Sequence, residues 1–299
     1  MNRTRLLASQ LVAAIVLLFG TLTVAAQVSK EQSTKPTPEN HQAHAIADLA
    51  LQRVHSGRSD EAIEIFKDAL RLAPNEALIY NNLGSTYAVL KRFDEATVAL
   101  RRAIALKPDF ANAYYNLGRV YAETGRDVEA LAEFSRAVEL APAFALARVE
   151  LCETHLALGH NEEAVACYEA LLELGTQDAE TRSNYGYALT RTKQYKKAIV
   201  TLSETVRLFP NYAGAYNNLG SAFFHTQRYD QAVLALRRAI DLEPDCEAAR
   251  YNLALAYLGV ANDSAALEQY VILKRTSQVR AQMLYELMFS KRVVSVNPN

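Results

Sequence analysis

Three residues of this 299-residue chain have the types and spacing of a soft-metal or redox site. Cys152 and His155 stand one helical turn apart, and Cys167 follows fifteen residues after the first cysteine. Thiolates and imidazole are zinc ligands, and two thiols can instead close a disulfide. Glu150 and Glu153, also one turn apart, could act as an acid and base pair, but nothing beside them in the sequence supplies a nucleophile or a metal. No Gly-rich phosphate loop, HExxH or GxSxG occurs. The chain therefore reads as non-enzymatic, with no cofactor.

Composition narrows the partners. Thirty-two Lys and Arg stand against 33 Asp and Glu, so there is no basic excess with which to neutralise phosphates, and nucleic acid is not expected as a partner. Arg101-Arg102 and Arg237-Arg238 read as surface charge. Half of the residues are apolar, enough for a sizeable core, and three cysteines cannot build a disulfide framework.

The N-terminus carries Arg3 and Arg5, and from Leu6 to Ala26 no residue is charged. Small residues at Val24-Ala25-Ala26 suit a peptidase, so residues 1–26 are expected to be an export signal, cleaved after Ala26. The alternative is an uncleaved anchor, since residues 6–26 are just long enough to tether the chain to a membrane. Either way the remainder is expected outside the cytoplasm, periplasmic or secreted. Cleavage removes Arg3 and Arg5, leaving 30 basic against 33 acidic residues, a net −3. Residues 27–42 are polar, contain Pro36 and Pro38, and are expected to be a flexible linker.

The organising signal is a repeat. Pro74, Pro108 and Pro142 are 34 residues apart, Pro210 follows after 68 and Pro244 after another 34, with Thr176 in the missing place. Placing that proline at position 32 gives seven frames: 43–76, 77–110, 111–144, 145–178, 179–212, 213–246 and 247–280. Position 20 is alanine in every frame, from Ala62 to Ala266, and position 8 is always small: Ala50, Gly84, Gly118, Cys152, Gly186, Gly220 and Ala254. Within the second frame Leu78, Leu83 and Tyr87 share one helical face, and Ala96, Leu100 and Ala103 share another. Each frame is thus expected to be a helical hairpin, helix A then helix B, whose small residues permit a close crossing. Asp60, Asp94 and Asp230 are expected to cap second helices. Ala281, Leu284, Tyr285 and Met288 recur as one face of a further helix, so residues 281–299 are expected to cap the last hairpin and end in a frayed tail.

Tyr80, Leu83, Gly84, Tyr87, Ala96, Leu100, Ala103 and Pro108 in the second frame resemble the tetratricopeptide repeat family. The match runs from Ala43 to about Arg280, with departures at Ile46, Arg53, Arg148, Arg182 and Arg250. The resemblance implies an all-α fold, a right-handed α-solenoid superhelix of seven hairpins plus a capping helix. It also implies a concave groove lined by helix-A positions 2, 5, 6, 9, 12 and 13, and a protein or peptide partner.

Position 6 holds Asn82, Asn116, Asn184, Asn218 and Asn252, a ladder whose amides match the backbone of an extended peptide. It is similar to the asparagine ladder of O-linked N-acetylglucosamine transferases, whose catalytic domain has no counterpart here. Asn81, Asn217, Tyr115 and Tyr251 at position 5 are expected to add contacts, with Phe224 beside them. The other reading is that these asparagines are merely solvated. Replacing Asn116, Asn184 and Asn218 together by Ala is expected to abolish binding with stability nearly intact. Glu123, Glu150, Glu153 and Glu180 fall on groove positions and would favour a basic segment, although Arg119 and Arg191 also project there. In the repeat register Cys152 takes the small-residue position and His155 the aromatic one, so both read as core substitutions; zinc and a Cys152–Cys167 disulfide are the alternatives. Cys246 is expected in an exposed turn, and Asn262 as a helix cap rather than a glycosylation site. Assembly through the convex face or the C-terminal helix is the second functional expectation, and the oligomeric state expected for groove binding is a monomer.

Overall fold

The computed structural model describes residues 37–176 and 178–293, with side chains through 289. The expected leader 1–26 and membrane tether 6–26, residues 27–36 of the expected linker, and the tail 294–299 lie outside the described residues. The described residues form fifteen α-helices and no strand. None of these helices is long and apolar enough to cross a membrane.

Contacts divide the chain into two compact units, one ending at Leu140 and the other beginning at Ala141. The first unit holds three hairpins: α1 (Pro38–His55) with α2 (Ser59–Leu72), α3 (Ala77–Val89) with α4 (Phe93–Leu106), and α5 (Ala111–Glu123) with α6 (Asp127–Leu140). The second holds four: α7 (Ala145–Leu158) with α8 (Asn161–Glu173), α9 (Ala179–Arg191) with α10 (Tyr195–Leu208), α11 (Ala213–His225) with α12 (Tyr229–Leu242), and α13 (Glu247–Gly259) with α14 (Asp263–Thr276). The closing helix α15 (Gln278–Val293) packs on α13 and α14. Within each unit every later helix A touches both helices of the hairpin before it, the contact order of an α-solenoid.

The crossing within each hairpin follows from side-chain size. All seven alanines at position 20 are 0 % exposed. A Cβ added at Gly84 would come 2.6 Å from Leu100 Cγ, at Gly118 2.7 Å from the Phe134 ring, and at Gly186 or Gly220 2.4 Å from Leu202 or Leu236 Cγ. Glycine at position 8 therefore makes room for the large residue at position 24 of helix B.

The turn between helices A and B is a backbone device that recurs at one position. Gly57, Lys91, Gly125, Gly159, Lys193, Gln227 and Ala261, spaced by 34, all have φ between +57° and +78°. The next amide in each turn reaches back five residues, as in Arg92 N to Tyr87 O at 2.9 Å and Asn262 N to Tyr257 O at 2.9 Å. That is the helix-ending motif in which a left-handed residue lets the chain satisfy the last carbonyls of the helix.

The expected aspartate caps are corrected by the structure. The N-cap residues are Arg58, Arg92 and Arg228, none with a side-chain capping bond, and Asp60, Asp94 and Asp230 lie inside the first turn. There they favour the positive end of the helix dipole without bonding it as a cap. Three arginines that follow the left-handed residue lie over the aromatic ring at position 11: Arg92 over Tyr87 at 4.7 Å, Arg126 over Tyr121 at 4.3 Å and Arg228 over Phe223 at 4.6 Å. Asn262 does cap, accepting from Ala265 N at 3.1 Å.

The linker boundary is also corrected. Residues 38–42 are helical, because Thr37 accepts from Asn40 N as N-cap and Pro38 occupies the first helical position, where its missing N–H costs nothing. The arginines at position 4 depart from the repeat for a structural reason. Arg148 and Arg250 donate to the carbonyls of Pro142 and Pro244 at 2.9 and 2.7 Å, as the Tyr114 hydroxyl does to Pro108 O at 3.2 Å. Arg182, whose preceding turn has Thr176, instead pairs with Glu204 at 3.7 Å.

At the C-terminus Ala281 and Leu284 are buried with Ala254 and Leu273, and Met288 packs against them. Tyr285 lies at a tilt to Tyr270, with ring centroids 6.1 Å apart, and keeps 45 % exposure.

Candidate functional site

The asparagines of helix A are drawn together, chiefly by one another. Asn116 Nδ2 donates to Asn81 Oδ1 at 2.9 Å, and Asn252 Nδ2 donates to Asn217 Oδ1 at 2.9 Å. Asn218 Nδ2 donates to Ser183 Oγ at 3.0 Å and to Ser183 O at 3.2 Å. Each is a bond from position 6 of one hairpin to position 5 of the hairpin before it. The pairs are 35 residues apart in sequence, so Asn or Ser at one position followed by Asn 35 residues later was a readable signal that the sequence analysis missed.

Within single helices Asn81 donates to Asn82 at 3.3 Å and Asn217 to Asn218 at 3.4 Å. The result is two short amide chains, Asn116–Asn81–Asn82 and Asn252–Asn217–Asn218–Ser183. Asn184, preceded at the equivalent place by Val149, lies instead beside the hydroxyl of Tyr168. Asn116 and Asn252 stay half-buried, and an amide engaged through one N–H retains acceptor capacity and a second N–H. Three of the five ladder residues, Asn116, Asn218 and Asn252, therefore clamp neighbouring A helices and still present polar atoms.

Position 5 is less open than expected. Tyr115 is 5 % exposed, with its ring 6.1 Å from that of Phe134, and Asn81 is 6 % exposed. Both are corrected from groove contacts to interior residues, because Tyr115 packs on Phe134 of its own helix B and Asn81 is bound by Asn116 of the next helix A. Tyr251 is half-buried and, with Met283, Glu286 and Leu287, lines a shallow open depression beneath α15. Phe224 packs against Tyr229 and His225 at 5.5 and 5.8 Å.

The carboxylates divide. Glu123 pairs with Arg119 at 3.6 Å. In the second unit the phenols of Tyr168 and Tyr212 are held above their ordinary pKa by burial first and then by the negative charges of Glu153, Asp178 and Glu180. Glu180 is reached by solvent, yet its carboxyl is pushed above the usual range by desolvation and then by Asp178. Asp178 also accepts from Thr181 N at 2.8 Å as N-cap of α9.

The thiols are corrected too. Cys152 and Cys167 form a disulfide joining α7 to α8, with Cα atoms 5.4 Å apart. The reason is the same close crossing that demands a small residue at position 8: it brings a helix-B cysteine within bonding range. His155 is half-buried, its Nδ1 is without a hydrogen-bond partner, and burial followed by the nearby His160 holds its pKa below 6.5. Cys246 is a free, partly exposed thiol at the N-cap of α13. Among the described residues no three His, Cys, Asp or Glu side chains come together closely enough to hold a metal ion.

Comparisons with known proteins agree with this architecture. Tetratricopeptide repeat models match residues 47–97, 111–144 and 128–183, and a TPR repeat model matches 87–125 and 220–260. No curated protein sequence matches the chain significantly. Among solved structures, a tetratricopeptide repeat protein from Parabacteroides merdae is similar with a TM-score of 0.60 at 14% identity, over 83% of this chain and 99% of that one. The Cut9–Hcn1 hetero-tetramer of the APC/C is similar at 0.59 and 19% identity, over 83% of this chain and 52% of that one. YrrB, described as a TPR protein with an unusual peptide-binding site, is similar at 0.49 and 22% identity, over 63% of this chain and 98% of its own. With 34-residue frames, one helical hairpin to each and the repeat models matching more than half of the chain, the chain belongs to the tetratricopeptide repeat family, an architecture that serves as a protein-interaction scaffold.

Proposed function

We propose that the chain works outside the cytoplasm as a non-enzymatic scaffold that holds an extended segment of a partner protein along its A helices. The observation that carries this reading is the set of half-buried helix-A amides, tied hairpin to hairpin yet keeping acceptors and N–H groups for a partner backbone. The extracytoplasmic part of the reading draws on the charge-free stretch 6–26 and on the Cys152–Cys167 disulfide, a bond that persists in oxidising compartments.

Site-specific photo-crosslinking in the producing cell tests it. A photoreactive residue at Asn82 or Asn184, which do not clamp a neighbouring helix A through their own N–H, is expected to capture one common partner, and the same residue at Val98, 71 % exposed on α4, is not. Capture from Val98 but not from the A helices would refute the groove. The mass of the mature N-terminus and fractionation of the chain test the location: an intact Met1 with the chain in the cytosol would refute export.

A further inference from the structure

The closing helix α15 is apolar on two sides. Ala281, Leu284 and Met288 face inwards onto α13 and α14, as a cap requires. Val279, Met283 and Leu287, each four residues after the last, form a second stripe on the other side and remain 73, 49 and 49 % exposed. A helix that closes a solenoid needs a polar outer face, because no further repeat stacks on it. Here that face carries apolar side chains instead. Met283 and Leu287 also line the open depression with Tyr251 of α13 and Glu286, so the stripe borders a hollow able to receive a protruding side chain.

The order of residues along the stripe indicates what covers it. Arg280 precedes Met283 by three residues and Glu286 follows it by three, which places them about 60° to either side of it at 3.6 residues per turn. Turning a second α15 by half a revolution about an axis through Met283 sets Val279 against Leu287, Arg280 against Glu286 and Met283 against its own copy. Each contact then occurs twice, so the face complements itself in both shape and charge. Arg280 already donates to Glu247 Oε2 at 2.9 Å, and a guanidinium has donors left for a second carboxylate. We infer that α15 pairs antiparallel with the α15 of a second copy, so that the chain is a two-fold dimer. The inference goes beyond the groove reading and departs from the monomer expected with it.

Sedimentation equilibrium of the chain as purified from the producing cell tests the pairing. One helix pair covers less than the roughly 800 Å² per partner of a standard interface, so a reversible dimer with a dissociation constant on the order of 10 μM is expected. Met283→Asp and Glu286→Arg should each raise that constant at least about tenfold, with the melting temperature of the dilute chain unchanged, and the control Glu64→Arg on α2 should not. In a Cys246→Ser background, mild oxidation should link Met283→Cys to itself. It should also link Val279→Cys to Leu287→Cys in a mixture, and leave Val279→Cys alone unlinked. A monomer at every concentration up to about tenfold above that constant would leave the stripe to another protein and overturn the dimer. An unchanged affinity in either α15 variant, or self-linking of Val279→Cys as readily as of Met283→Cys, would overturn it equally.

Discussion

Asn116 donates its side-chain amide to Oδ1 of Asn81 across 2.9 Å, joining the first helices of two successive hairpins through a residue that is only 6 % exposed. Four frames later Asn252 and Asn217 repeat the bond at the same length. The amides at this position hold the stack together, and that changes what their removal should do.

Asn116→Ala leaves the Asn81 oxygen buried without its donor. A loss of about 1–2 kcal/mol of unfolding free energy is expected in urea titration. Asn82→Ala, which removes an intrahelical acceptor at 3.3 Å, should cost less. The expectation that Asn116, Asn184 and Asn218 can be removed together without loss of stability is therefore replaced: two of the three are clamps. A triple variant as stable as the parent would show that the clamps contribute nothing.

The turns offer the opposite sign. Ala261 sits at φ +57° and Lys193 at +61°, a region that costs a residue with a Cβ about 1–2 kcal/mol. Ala261→Gly and Lys193→Gly should each raise stability by roughly 0.5–1 kcal/mol once the greater freedom of unfolded glycine is deducted. Gly159→Ala, at φ +78°, should lower it by a similar amount. Melting temperatures of the three variants decide the point.

Reduction should act on one hairpin. The Cys152–Cys167 bridge closes a loop with a sequence separation of 15, for which the loss of unfolded-state entropy is about 3 kcal/mol. Cys152→Ala with Cys167→Ala, or a phosphine reductant, should shift the urea midpoint down, and Cys246→Ala should leave it unmoved. Mass measurement before and after alkylation identifies which thiols are free.

His155 makes stability depend on pH. Burial, reinforced by His160 and opposed by Glu163, holds its native pKa below the ordinary 6.5. Between those two values the unfolded chain binds more protons than the native one, so stability rises with pH across the interval. His155's contribution is complete above 6.5 and is lost as pH falls towards the lowered native value. Urea midpoints taken at about pH 5 and pH 8, either side of the reference value, should differ less in His155→Phe than in the parent.

Much of the architecture was legible because it depends on residue size recurring in phase. Gly84, Gly118, Gly186 and Gly220 each face a bulky position-24 side chain, and size is written in sequence. The starts of helix A at Ala77, Ala111, Ala145, Ala179, Ala213 and Glu247 coincide with the frame boundaries for the same reason. Gly57, Gly125 and Gly159 carry the residue type that a left-handed turn favours, whereas at Lys91, Lys193, Gln227 and Ala261 the main-chain bond imposes a conformation the residue type does not advertise. At the candidate site the asparagine register could be read, but its consumption by position 5 could not be seen without a helix-to-helix distance. Tyr115 looked like a groove aromatic because its position in the frame was known, whereas its burial against Phe134 is a property of packing. The disulfide was ambiguous because a cysteine and an alanine are nearly the same size at a close crossing.

The seven left-handed turns also bear on rearrangement of the chain. Each leaves three residues or so between helix A and helix B and is closed by the main chain, so a splice made there would cut the bond that joins the two halves. A cut at the bend that follows each hairpin, which carries proline in five of the seven frames, separates whole hairpins instead. The smallest cassette that could be transplanted, duplicated or removed is thus a whole hairpin, and a library of shuffled variants should carry its breakpoints at the bends between hairpins.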